Sequence, residues 1–169
     1  MTSRISSWWR ALAHWRGHAV LGLAARGYLA WVFITACWHK ILEPGTFALD
    51  VATYQFLPLW ALHPFALVLP WVELLAGILL LVGFRVRAAS LLIAVMMLSF
   101  LVALAWALHL GLDMACGCFA SQAASTDDPI SLWTVARDLG WLALAVYVMV
   151  FDTSPLGVDR LRFRREATA

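Results

Sequence analysis

Apolar positions gather into four long runs, at about 20–38, 65–84, 88–112 and 130–151, separated by short polar stretches. Each run is close to the ~20 residues that carry a helix across a ~30 Å hydrocarbon core. Inside a bilayer every backbone polar group needs an internal partner, so such runs must be helices. The pattern predicts an all-α membrane protein, a bundle of four transmembrane helices forming a single domain over 1–169, with no internal repeat. Residues 39–64 are too many for a tight turn and carry Phe47, Val51, Tyr54 and Phe56 beside Asp50 and Gln55, which predicts a short amphipathic helix on the outer surface. Pro70 falls inside the second run, after Pro58 and Pro64, and predicts a kinked or late-starting outer end. Gly83 and the stretch 85–87 leave almost no loop, which makes the second and third helices antiparallel neighbours.

Composition agrees with the pattern: 63% of residues are hydrophobic and 13% charged, too little polar surface to cover a soluble core. The net charge of +2 matters less than its placement. Arg4, Arg10, Arg16, Arg85, Arg87, Arg160, Arg162, Arg164 and Arg165, nine of the twelve basic residues, all fall on one side of the four-helix topology. The opposite loops hold Lys40 with Glu43, Asp50, Asp113, Asp127 and Asp128. Basic loops stay in the cytoplasm, so both termini are expected there. The basic residues set orientation; no nucleic-acid partner is expected. In a bacterial inner (plasma) membrane, the outward loops then meet the periplasm or exterior, an oxidising compartment. Ile34-Thr35-Ala36-Cys37 loosely matches a lipoprotein cleavage box, but Arg26 in the middle of the apolar run favours an uncleaved first helix.

Arg26, Glu73, Arg137 and Asp138 lie inside the runs. A charge in hydrocarbon is costly unless paired, so these side chains are expected to face the bundle interior. Counting at ~1.5 Å per residue puts Glu73 and Asp138 at one depth with Arg26 about a turn deeper, and predicts an Arg26–Glu73 salt bridge. Arg26, Glu73 and Asp138 are candidates for a polar pocket that takes a quinone headgroup; interhelical glue explains them equally well. Trp38, Trp60, Trp71 and Trp133 are expected in an aromatic belt at the outer interface, rather than as a stacking platform.

Thiols provide the remaining chemistry. Cys116-Gly117-Cys118 sits in the outward loop after the third run, and a disulfide across it would close a ring holding a single glycine. Strained, exposed disulfides are the more oxidising ones, which suits a relay. Spacing supports a relay and a structural pair equally. Cys37, at the same outer side, is a candidate resolving thiol, although lone cysteines at such positions are commonly small apolar residues. The alternative reading is a copper or zinc site built from Cys37, His39, Cys116 and Cys118. His39 and Lys40 also stand where they would raise the thiolate fraction of a nearby cysteine. A third reading is a non-catalytic assembly subunit.

His39-Lys40 with Pro44 and Phe47, the run Glu73-Leu74-Leu75-Ala76-Gly77, residues Arg85 to Ala89, and Cys116-Gly117-Cys118-Phe119 together resemble the MauE/DoxX family over about 22–150. The Cys-Gly-Cys-Phe motif points to the MauE-like branch, with Ala120 standing where that branch usually has glycine. The resemblance implies a four-helix inner-membrane bundle associated with redox chemistry. It also implies Cys116 and Cys118 as a redox pair, and a periplasmic thioredoxin-like partner that forms disulfides in methylamine dehydrogenase.

Overall fold

The structure, a computed structural model, describes residues 18–111, 132–152 and 157–158. Five helices account for nearly all of these: α1 (His18–Leu42), α2 (Pro44–Thr53), α3 (Leu59–Val82), α4 (Val86–His109) and α5 (Leu132–Phe151). No strand occurs among the described residues. All but α2 are long and apolar enough to cross a membrane. Their outward faces carry exposed Trp31, Leu67, Val68, Leu91, Leu98 and Val102, a surface suited to lipid and not to water. The protein is a multi-pass membrane protein. The end holding Leu42, Leu59, His109 and Leu132 is called outer below, by the orientation that the basic residues predict.

The helices form a closed ring in which α1 packs on α3, α3 on α4, α4 on α5, and α5 back on α1, with the α1–α3 and α4–α5 pairs most extensive. Small residues allow the tightest approach. A Cβ on Gly77 would meet Ile34 Cγ1 at 2.9 Å and the Ala30 carbonyl at 3.4 Å, so α1 and α3 come closest where Ala76 and Gly77 provide room. The predicted antiparallel contact between the second and third spans is present. Gly83 ends α3 in the left-handed region (φ 72°), and Gly83 N–H and Phe84 N–H both donate to the Leu79 carbonyl at 3.0 Å. The inner half of the ring is solid, filled by Leu29, Leu80, Ile93 and Val148, none of which is exposed.

Three boundaries differ from the apolar runs. First, α1 continues to Leu42, a turn beyond Trp38, because Pro44 and not the loss of hydrophobicity ends it; Pro44 then supplies the first position of α2. Second, α3 starts at Leu59 and not late: Pro58 caps it, while Pro64 and Pro70 lie inside. The Trp71 side chain is therefore twelve residues into the helix, ~18 Å from its outer end, deeper than an interfacial belt. Third, α2 does not float on the outer surface. Phe47 and Ala48 pack on Ala66 of α3, and Tyr54 just beyond packs on Leu104 and Ala107 of α4. Thus α2 lies across the outer end of the ring.

Candidate functional site

Beneath α2 the outer half of the ring is hollow. A cavity of about 480 Å³ is bounded by all five helices, with Val32, Phe33 and Ala36 from α1, Leu69 from α3, Met96 and Phe100 from α4 and Trp141 from α5 among its walls. This is the size of a small-molecule site, and its walls are mostly hydrocarbon and thioether. Its polar groups are few: Lys40, Asp50, Tyr54, Glu73, Ser99 and Asp138.

Each charged side chain reaches the cavity because it replaces an apolar residue on a buried helical stripe. Lys40 stands seven residues after Phe33, in line with Ala36 and Cys37, all of them buried. Glu73 continues the stripe of Ala66 and Pro70 toward Ala76 and Leu80. Asp138 follows Thr134 and precedes Ala145 and Val148, again all buried. Lys40 Nζ donates to Glu73 Oε1 at 2.9 Å and to Oε2 at 3.0 Å, and lies 5.1 Å from the centre of the Phe47 ring. An ammonium and a carboxylate taken out of water together are tolerable only in such close geometry. Asp138 is fully buried and accepts from Arg137 Nε at 3.3 Å. The Arg137 guanidinium in turn lies 4.9 Å over Trp141, whose Nε1 donates to the Tyr28 hydroxyl at 3.3 Å.

Tyr54 closes the outer end, stacked edge-on against Phe100 with centroids 6.1 Å apart. Burial pushes its phenol well above the usual tyrosine range, and the carboxylates of Asp138 and Asp50 push it the same way. Asp50 and Tyr54 were missed as site residues. The signal was present: Phe47, Asp50, Val51 and Tyr54 follow i, i+3, i+4, i+7, so Asp50 belongs to the apolar face of α2 and not to its wet one.

The Arg26–Glu73 salt bridge is overturned. Glu73 pairs with Lys40, and Arg26 Nη1 lies 3.5 Å from Asp152 Oδ2, just past the inner end of α5. The reason is the length of α1. With the helix running to Leu42, Lys40 falls within the bundle at the level of Glu73, and Arg26 lies fourteen residues further in, ~21 Å along the axis. Glu73 and Asp138 both line the cavity. Trp38, Trp60, Trp71 and Trp133 are all exposed on the outside of the ring and none lines the cavity, whereas Trp141 does.

Cys37 is fully buried beside the site, its thiol donating to the Ile34 carbonyl at 3.1 Å. His39 is half-buried one turn before α2. Among the described residues no three His, Cys, Asp or Glu side chains converge to hold a metal ion. Cys116 and Cys118 lie outside the described residues.

An apolar ring of four spans, hollow at one end and lined there by paired charges, defines the class: a multi-pass helical membrane protein with an intramembrane cavity. The chain belongs to the MauE family; the model described as methylamine utilisation protein MauE matches residues 18–151. A relative, the methylamine utilization protein MauE of Methylophilus methylotrophus, is 32% identical over 137 residues, covering 78% of this chain and 69% of that protein. No solved structure matches the chain.

Proposed function

We propose that this protein is an inner-membrane thiol–disulfide redox protein, and that it serves the maturation of a periplasmic enzyme in methylamine utilisation. A reduced thioredoxin-like partner gives two electrons and two protons to the Cys116–Cys118 disulfide; the partner leaves oxidised and the pair becomes a dithiol. Reoxidation of that dithiol passes the same two electrons and two protons onward. A quinone dissolved in the bilayer supplies the acceptor chemistry for that step. The residues of this chain fit such a group: the cavity is large enough for its ring, its walls are apolar, and Lys40 donates hydrogen bonds inside it.

One observation carries the reading. The cavity lies toward the outer end of the bundle, and the chain reaches Cys116 seven residues after α4 ends at His109, so chain length keeps the thiols near that end. Membership of the MauE family and the name of the relative supply the pathway. The buried Cys37 is placed as a packing residue in this scheme, since a resolving thiol must be reached by its partner.

Trapping tests the reading. A Cys116→Ser variant is expected to accumulate a reductant-sensitive mixed disulfide through Cys118 with a periplasmic thioredoxin-fold protein. The Cys116→Ser/Cys118→Ser variant is expected to lose at least tenfold of the activity of the matured client. Full client activity in that double variant would sink the proposal.

A further inference from the structure

We infer that the cavity is a laterally open site for a quinone-class molecule, a flat neutral ring with carbonyl oxygens on a long apolar tail. The molecule enters from the bilayer between α3 and α4, and a ring carbonyl accepts from Lys40. This rests on the reading above for the choice of ligand class, while the route and the contact come from the geometry alone.

The route follows from residues that face two ways. Phe65 on α3 and Val95 and Ser99 on α4 line the cavity and are also exposed on the outside of the ring. Val95 and Ser99 stand fourteen and ten residues from the outer end of α4, ~21 and ~15 Å in, and Phe65 is ~9 Å from the outer end of α3. At those depths the mouth opens onto hydrocarbon. The inner ends of α3 and α4 meet at the Gly83 turn and pack through Leu80, Val86 and Ile93, so the gap closes toward the inner end.

The contact follows from donor accounting. An ammonium has three N–H bonds. Two of those on Lys40 go to Glu73, and the third has no protein acceptor among the described residues, although the side chain is buried and lines the cavity. A ligand oxygen completes it. The charge balance weighs against an anionic lipid head: the described lining residues carry one cation, Lys40, and three carboxylates, Asp50, Glu73 and Asp138, of which Asp138 is paired with Arg137 behind the wall. A neutral carbonyl accepts from the ammonium without repulsion from these carboxylates. Trp141 and Phe100 provide flat apolar surface for the ring.

The test uses the full chain in lipid nanodiscs and a photoreactive azido-benzoquinone with a decyl tail. Labelling is expected on α1 and α4 peptides carrying Phe33, Val95 and Met96, saturable and displaced by unmodified decyl-benzoquinone. Ser99→Trp, which fills the mouth without touching the ion pair, is expected to cut labelling by this probe and by a tail-less azido-quinone at least tenfold. Lys40→Met is expected to cut both at least tenfold. Labelling confined to lipid-facing residues, labelling indifferent to Ser99→Trp, or a co-purified phospholipid that the quinone does not displace would each overturn the inference. Thiol trapping separates the two proposals: cavity labelling without a mixed disulfide keeps this one and removes the relay, and a mixed disulfide without cavity labelling does the reverse.

Discussion

Two levels of buried charge bracket the bundle, and they are built from the same helices. At the outer level are Lys40 of α1, Glu73 of α3 and Asp138 of α5; at the inner level Arg26 of α1 meets Asp152 at the end of α5. The spacing within α1 and along α5 is the same, fourteen residues or ~21 Å, so both levels sit somewhat inside a ~30 Å hydrocarbon core. Their surroundings differ. The inner pair is walled in, with Ala25 and Leu29 of α1 and Ala145 and Val148 of α5 buried nearby along the same helices. The outer pair borders a cavity of about 480 Å³. A buried ion pair alone therefore does not mark a site; an ion pair with unfilled space beside it does. The inner pair holds α1 to α5, and the outer pair presents a donor to whatever enters.

The comparison breaks most visibly if one inner partner is removed. Arg26→Met or Asp152→Leu strands a charge in packed hydrocarbon and is expected to cost about 3–5 kcal/mol, whereas the double substitution recovers most of it. Glu73→Gln at the outer level is expected to cost only about 1–3 kcal/mol, because the Lys40 ammonium can be solvated through the cavity. Unfolding in mild detergent measures all four, and equal losses at the two levels would erase the distinction. Next in size is the contrast in packing. Leu80→Ala in the solid inner half is expected to cost about 2–5 kcal/mol, while Leu69→Ala, on the cavity wall, should cost less than about 1 kcal/mol because it enlarges a space that already exists. Similar losses for both would mean that the outer half is as closely packed as the inner.

The smallest effect concerns pH. Tyr54 has its phenol held above the unfolded value of ~10 by burial and by Asp138 and Asp50. The folded state keeps a proton that the unfolded chain gives up, so this contribution is complete below about pH 10 and is lost as pH rises beyond it. Melting temperatures between pH 8 and 11 should fall more steeply for the native chain than for Tyr54→Phe. Parallel curves would place Tyr54 in contact with water and outside the closed end of the cavity.

Much of this was legible in the chain. Hydrophobic runs gave the four spans to within a few residues, except at the start of α3, where six more residues, ending in Pro64, belong to the helix. Glu73 and Asp138 were identified because an acid in an apolar run has few innocent explanations. Lys40 was harder to place because it sits just past a run's end, and Asp50 because it lies between two runs, where a charge looks wet until the helices around it are known.

The sequence by itself determined the class: apolar length and helical period are local properties, and a ~20-residue apolar segment has one way to satisfy its backbone in lipid. It also determined that Arg26, Glu73 and Asp138 had to be buried. Tertiary structure alone decided their partners, Lys40 and not Arg26 for Glu73, and decided that one charged level borders a cavity while the other is sealed. Those outcomes depend on where Pro44 ends α1 and on how α1 settles against Gly77, because ~21 Å of helix separates the two cations and only one of them can stand opposite Glu73.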